Sequence, residues 1–533
     1  MLAAQEASRT EFVTVFNAAR PELDPHRAIY SNEAQVFTAL YEGLFSYDPS
    51  SLEPVRAAVA SWSRSKDGLV YDFDLRQEAR WSDGSPLLAS DFRDSWLRIL
   101  SMNADYAAFF DIISGAREYR GGKTSDASKV GIKALSDKRL EVTLEAPAAY
   151  FTRLLCHHSF APIHPSMLEA EDWSASLPFP VNGPYRFASG TQEASSGDMV
   201  LEKNPEYWDA ASVAISTLRL VFTDDDTVAS AMFDGGQADW LAGPGDLDVL
   251  LRQDAIQINP MFATHYWFFD SATGPWKDAR IRRALALLLP WDELRNTEQY
   301  LIPASTLVLP MPGYSDVKGI ETENRPEALG LLAEAGYPEG SGLPAVRIAF
   351  VDGKDARRVT GLMKKAWESL PGLKVELVVM PASRYYDQIG KGPEKGNFTL
   401  AHTTWIGDFA DPVAFLQMWT TGSSLNDADF SNPKYDTLLA GSQAKEGKER
   451  FALLAEAENI LLQDAVVLPF YHGFAVSVID AEYIQGWYQN ALDIHPYKAF
   501  RFGTPTIRPN VAESSSGARY VSLRTGATTE APR

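Results

Sequence analysis

Apolar and polar residues alternate from Glu11 to Ala18 as in a strand with one buried face, and LDPHR from Leu23 breaks the pattern. From Asn32 to Leu44 the period becomes helical, with Val36, Leu40, Tyr41 and Leu44 on one face. Two aromatic strands follow, around Trp62 and from Leu69 to Leu75, separated by the turn signal KDG at Lys66 to Gly68. The WSDGSPL turn at Trp81 leads into a helix near Ser90 to Leu100. Lys138 to Leu144 alternates again, and an aromatic helix is predicted from Ala149 to Leu155. The texture of this stretch is α+β.

Around Leu177 the chain changes character. LPFPVNGPYRF, Leu177 to Phe187, is a proline and glycine junction, and a strand at Met199 to Lys203 runs into NPEYWD at Asn204 to Asp209. Leu218 to Phe222 reads as a strand and Asp226 to Asp234 as a helix closed by Gly235 and Gly236. The run THYWFFD, Thr264 to Asp270, would place bulky side chains on every face of a helix. It is therefore predicted to be a core strand, crossing between lobes.

The most legible region begins at Ala345. AVRIAFV to Val351 is a strand, Arg358 to Leu370 a helix, and LKVELVVM from Leu373 to Met380 a second strand, which makes a βαβ unit. A short helix near Ser383 to Ile389 then leads to a strand from Phe398 to Trp405. Parallel strands expose their carboxyl ends on one edge, where such sheets bind ligands, and this edge should hold Arg357 and Asp408. Asp411 before Pro412 reads as a helix cap, whereas Asp408, beside Trp405, Ile406 and Gly407, has no such use. One cation and one anion would match a zwitterion. The alternative is that both are solvated charges or pair with each other.

Composition narrows the function. A chain of 533 residues exceeds a single core, so two or three lobes are expected. A formal charge of -21 without a basic stripe argues against nucleic acid. Cys156 is the one cysteine, so no intrachain disulfide forms, and its apolar setting suggests an inert buried thiol. No apolar run approaches the ~20 residues of a membrane span, and the start, MLAAQEASRTEF, lacks the features of an export signal. Residues 508–533 are polar and aperiodic, as in a disordered tail.

From about Glu11 to Phe502 the chain resembles the periplasmic peptide-binding proteins of ABC importers, the family 5 solute-binding proteins. The resemblance is carried by LDPHR at Leu23, LYEGLFSYD at Leu40, WSDGSPLLASDF at Trp81, APAAYF at Ala146, NGPYRF at Asn182 and LEKNPEYWD at Leu201. DARIRRALAL at Asp278, LLAEAGYPEG at Leu331, WIGDFADP at Trp405 and SNPKYD at Ser431 continue it in the family's order.

The resemblance implies an α/β, two-lobed periplasmic-binding-protein fold (class II, cluster C type) with an extra α+β subdomain in the first lobe. Lobe I would comprise 11–47, 177–262 and 480–507, the extra subdomain 48–176, and lobe II 263–479. It further implies a receptor, not an enzyme, that captures a short peptide between closing lobes and delivers it to ABC permease subunits. No cofactor, metal or nucleic acid is expected, and the receptor would be a monomer. Its location would be periplasmic or attached to the outer face of the inner membrane, with any signal segment absent from this sequence. In this family the acid of a WxxD turn holds the peptide's ammonium, a role that falls on Asp408. The ligand's main chain pairs with the segment after LDP, here Tyr30, Ser31 and Asn32, and with Trp405 to Gly407. Tyr106 and Tyr266 complete the candidate contacts.

Departures bear on peptide length. Where oligopeptide receptors carry Arg before the tryptophan this chain has His402, whereas Arg357 stands where dipeptide receptors carry Arg. LLPWDE at Leu288 replaces the family's IDR. The runner-up is a nickel, haem or other non-peptide carrier of the same fold, and CHHSFAPIH, with Cys156, His157, His158 and His164, offers ligand atoms at no recognised zinc spacing. A hydrolase using Asp408 with Asp411, or Glu42, is the rival from another class, but neither GxSxG nor HExxH is present. GGKT at Gly121 lacks a P-loop's first glycine, and Asp224 to Asp226 are explained by a helix start.

Overall fold

The computed structural model describes residues 9–148, 150–170, 172–188, 198–295, 302–311, 313–314, 317–390, 395–407, 409, 411–445 and 447–503. The stretch read as a tail lies outside them. The first alternating segment is β1, Glu11–Asn17. Next come β2 (Val59–Arg64), β3 (Val70–Leu75), β4 (Ile132–Ser136) and β5 (Arg139–Thr143), an antiparallel sheet in the order β2-β3-β5-β4. The chain then forms β6 (Tyr185–Phe187), β7 (Met199–Lys203), β8 (Thr217–Thr223) and β9 (Trp240–Ala242). Last come β10 (Ile256–Phe269), β11 (Val346–Val351), β12 (Val375–Met380), β13 (Leu400–Ile406) and β14 (Val467–Ile479). With β1 they lie in one mixed sheet, in the order β12-β11-β13-β10-β14-β9-β1-β8-β7-β6.

The long strands β10 and β14 join the two halves of this sheet. β14 reaches β9 at Val478 and Ile479, while β10 pairs with β13 from Ala263 to Phe269. Their mutual register shifts between Pro260 and Thr264, where proline offers no N–H to the ladder. The aromatic run works because a strand alternates faces: Tyr266 and Phe268 enter one core, Trp267 and Phe269 another.

A further core gathers Phe12, Val36 and Leu40 from the start, Val181 and Leu218 from the middle, and Tyr497 and Phe500 from the end. The core of the four-stranded sheet is continuous with that beneath β13, and Tyr150 stacks on Phe409 at 5.4 Å and 6°. The helix predicted to reach Leu44 stops at Leu40, whose carbonyl accepts from Gly183 N, and Tyr41 turns extended. The predicted aromatic helix shortens to Phe151–Leu154. No helix among the described residues is long and apolar enough to cross a membrane.

One buried acid couples the core shared by Tyr266 and the four-stranded sheet to pH. Glu458, on the helix Gly447–Gln463, accepts hydrogen bonds from Leu307 N (2.7 Å), Val308 N (2.9 Å) and the Tyr314 hydroxyl (2.5 Å). Burial nevertheless raises its pKa from 4.5 to about 7, against the pull of those donors. A raised folded-state value means stability that is full below the unfolded pKa and is lost as pH rises through about 7. Glu458→Gln should therefore flatten the fall in melting temperature between pH 5 and pH 8. The difference from wild type should reach about 3 kcal/mol at 1.36 kcal/mol per pKa unit. Parallel melting curves across that range would count against it.

Candidate ligand cavity

β11 and β12 are parallel, and β11 pairs in parallel with β13 only at Ile348 with Leu400 and Ala349 with Ala401. The Tyr385 hydroxyl separates the strands beyond that point. Its one proton is shared between the carbonyls of Ala349 (3.1 Å) and His402 (2.9 Å), and His402 N donates to it at 3.0 Å. β13 then runs on to Ile406, held by β10 on one side, and no strand among the described residues pairs with its other side from Thr403 onward. Each of Thr403, Thr404, Trp405, Ile406 and Gly407 lines a cavity of about 660 Å³, within the ~300–1,000 Å³ usual for small-ligand sites.

The turn after β13 is fixed by close packing. Gly407 N donates to Phe262 O at 2.7 Å. A β-carbon on Gly407 would stand 2.5 Å from Phe262 Cδ1 and 2.8 Å from Phe415 Cε2, and those rings pack edge to face at 4.8 Å. Gly407→Ala should thus destabilise the protein by about 1–3 kcal/mol by overpacking and weaken ligand binding by displacing the turn. Melting and titration calorimetry measure the two effects, and an unchanged melting temperature would refute the close fit. Trp405 packs on the core, donates Nε1 to Ala414 O at 2.9 Å and also faces the cavity, so it is both a core indole and a wall. Asp411 accepts from Val413 N at 2.9 Å, the backbone use expected of a helix cap, and also forms a buried bidentate pair with Arg450 at 2.7 and 2.8 Å.

Of the residues predicted to meet ligand, Tyr30, Ser31, Tyr106, Tyr266, Trp405, Ile406 and Gly407 come together in this cavity. Asp408 lies outside the described residues. Arg357, His402 and Asn32 do not line the cavity. Arg357 shares the sheet edge, but its helix starts at Lys354, earlier than predicted, and it forms an exposed bidentate pair with Asp352. β13 also outruns β11 by three residues beyond the level of Val351, roughly 10 Å at ~3.3 Å per residue, so the two strand ends are not neighbours. His402 lies against Trp267 (5.2 Å) and His265 (6.0 Å), and burial lowers its pKa to about 4, which leaves it neutral. Asn32 falls in the first turn of the helix Ser31–Leu40. Strand pairing along Tyr30 to Asn32 is hindered too, because Tyr30 N donates to Glu33 Oε2 (2.8 Å) and Tyr30 O accepts from Glu33 N and Ala34 N.

The remaining lining includes Ile29, Asp105, His157, His158, Asp387 and Asp427, none predicted as a peptide contact, His157 and His158 being weighed only as metal ligands. Asp387 was reachable from sequence: β12 is parallel to β11, so the chain beyond Met380 returns to the same carboxyl edge. Burial lowers the His157 pKa to about 3 and takes that of His158 well below normal. Partial burial raises Asp105, with the Asp387 carboxylate as the second cause.

The other constellations are held by their neighbours. Glu42 accepts from the Tyr207 hydroxyl, Trp208 Nε1 (2.6 Å) and Lys498 Nζ (2.9 Å). Cys156 Sγ contacts the Ser46 and Thr152 carbonyls, and burial raises its thiol pKa. His164 bonds Ser166 through Nδ1 and lies 3.4 Å from Asp83 through Nε2. Among the described residues no three His, Cys, Asp or Glu side chains are grouped to hold a metal. Asp225 caps its helix through Thr227 N and Val228 N, as the sequence suggested.

Comparison with known proteins agrees with this architecture. The chain is 28% identical over 488 residues to the periplasmic oligopeptide-binding protein OppA of Salmonella typhimurium, covering 87% of this chain and 86% of the relative. It is 28% identical over 441 residues to the dipeptide-binding protein DppE of Bacillus subtilis, covering 79% of each. The solved structure of the Escherichia coli murein tripeptide binding protein MppA superposes with a TM-score of 0.80 at 25% identity, over 93% of this chain and 99% of that one. These relatives are named as binding proteins. The model of the bacterial extracellular solute-binding proteins, family 5, matches residues 53–427, and the chain belongs to that family, with its two-lobed α/β fold.

Proposed function

We propose that this protein is an extracytoplasmic receptor that captures a short peptide between its lobes and delivers it to an ABC import permease. The observation that carries the reading is the side of β13, Thr403 to Ile406, that no strand among the described residues pairs with and that lies open in a cavity. A strand edge supplies main-chain donors and acceptors at a fixed spacing, so an extended peptide can bind there whatever its side chains. Relatives named for oligopeptides, dipeptides and a murein tripeptide support the same ligand class. In this reading the ligand pairs with β13, and Tyr30 and Tyr106 contact it from the other parts of the chain that line the cavity. The core formed from both chain ends and the middle supports lobe I as 11–47, 177–262 and 480–507, with 48–176 as the added subdomain, whose Ala161, Ile163, Met167 and Trp173 also enter that core, and 263–479 as lobe II. The receptor acts as a monomer, in the periplasm or attached to the outer face of the inner membrane.

Catalysis is not part of the proposal. Glu42 and Asp411 are each committed to hydrogen bonds and an ion pair, which leaves neither poised as an acid or base. Incubation with a defined peptide mixture, followed by denaturation and mass spectrometry, should recover bound peptides intact. Shortened products, or retention of no peptide, would overturn it.

A further inference from the structure

The acidic side chains of the cavity carry a statement about which peptides it takes, and that statement rests on the peptide reading above. Asp105 begins the short helix Asp105–Ile112, packed with the four-stranded sheet, and Asp387 sits on the helix Tyr385–Ile389 that follows β12. Neither carboxylate forms a hydrogen bond or ion pair among the described residues, although both line the cavity and Asp105 responds to the charge of Asp387. No lysine or arginine occurs among the described lining residues. Among the described residues the site thus sets the carboxylates of Asp105 and Asp387, from two structural units, against each other with no lysine or arginine in the lining.

A second, independent group points to a ligand. His158 lines the same cavity, and both its ring nitrogens are buried without a hydrogen-bond partner in normal geometry. Burial holds it neutral, with only the Ala28 backbone acting in the other direction, so one nitrogen is an acceptor awaiting a donor. Tyr30 and Tyr386, at 6.4 Å and half exposed, flank Asp387 with faces that suit an alkyl stem and a cation.

We infer that the cavity selects peptides with a basic side chain, and that Asp105 and Asp387 receive it. Two like charges from separate units oppose closure around a neutral or acidic ligand, and a lysine or arginine side chain between them turns the repulsion into attraction. The lobes therefore close most readily on cationic peptides. Selectivity of this kind is a difference between ligands, built as much from repulsion of the wrong charge as from attraction of the right one.

Titration calorimetry at low and physiological salt, with tripeptides of one backbone carrying lysine, norleucine or glutamate at each position in turn, tests this. At the best position lysine should bind at least tenfold tighter than norleucine and glutamate weakest, with the spread narrowing as salt rises. In the Asp105→Asn, Asp387→Asn double variant, checked for folding by circular dichroism, the ratio of lysine to norleucine should fall below threefold. Equal binding of the three peptides by the wild type would overturn the inference while leaving a peptide receptor. An undiminished ratio in the folded variant would overturn the assignment of the two acids. Failure of every tripeptide, neutral ones included, would overturn the peptide reading and this inference with it.

Discussion

Replacing Arg450 with methionine is expected to lower the unfolding free energy by about 3–5 kcal/mol, the range for stripping one partner from a buried ion pair. The geometry places this pair at that end of the scale. Both nitrogens of the guanidinium fork meet both oxygens of Asp411, with side chains only 6% and 11% exposed, and the guanidinium also lies 5.4 Å from the Tyr150 ring. Methionine fills much of the volume but leaves the carboxylate with Val413 N as its remaining donor. Pairing Arg450→Met with Asp411→Asn removes the orphaned charge, so the double variant should regain at least half of the loss. Denaturant titration of the four proteins reads the cycle. A single-variant loss below about 1 kcal/mol would place the pair among ordinary solvated bridges. The same substitution should weaken ligand binding, because Arg450 anchors the segment that follows the cavity turn and Tyr150 stacks on Phe409 beside it.

How far the sequence could be read depended on whether a feature was local. β7 and the helix Asp226–Asp234 match their predicted limits because alternation, an N-cap and paired glycines lie within a few residues of one another. The βαβ unit was legible for the same reason, and so was the shared edge of its parallel strands. What the sequence could not supply is how far each strand extends past its neighbour. The Tyr385 hydroxyl parts β11 from β13, and this is what places Thr403 to Gly407 in the cavity and leaves Arg357 outside it with Asp352. Asp105 escaped, and His158 was read only as a metal ligand, because both sit on short helices of the unit that holds the four-stranded sheet, and no periodicity encodes which loop of one unit faces which helix of another. Arg450 carried no signal at all: its partner is 39 residues away, and a helical arginine ordinarily faces water.

Acetylating the amino terminus of a bound peptide is expected to weaken it by about 2–5 kcal/mol, and Asp408→Ala to impose a loss of the same size on the free peptide. A strand edge alone cannot fix the register of its ligand, since main-chain bonds repeat every two residues and an extended peptide could slip along β13. A terminal charge met by a carboxylate would set that register, and in the proposed receptor Asp408, next in the chain to the tightly held Gly407, takes the role. Closing a cavity over such a carboxylate without its cation is unfavourable, so the penalty for a blocked terminus is felt mainly as faster release. Peptides without basic side chains isolate this effect from that of Asp105 and Asp387. Wild type should then discriminate strongly between free and acetylated forms, and Asp408→Ala should bind both with similar, low affinity. Equal affinity of wild type for the two forms would remove Asp408 from the ligand's amino end and leave the open side of β13 to hold the peptide without an anchor there.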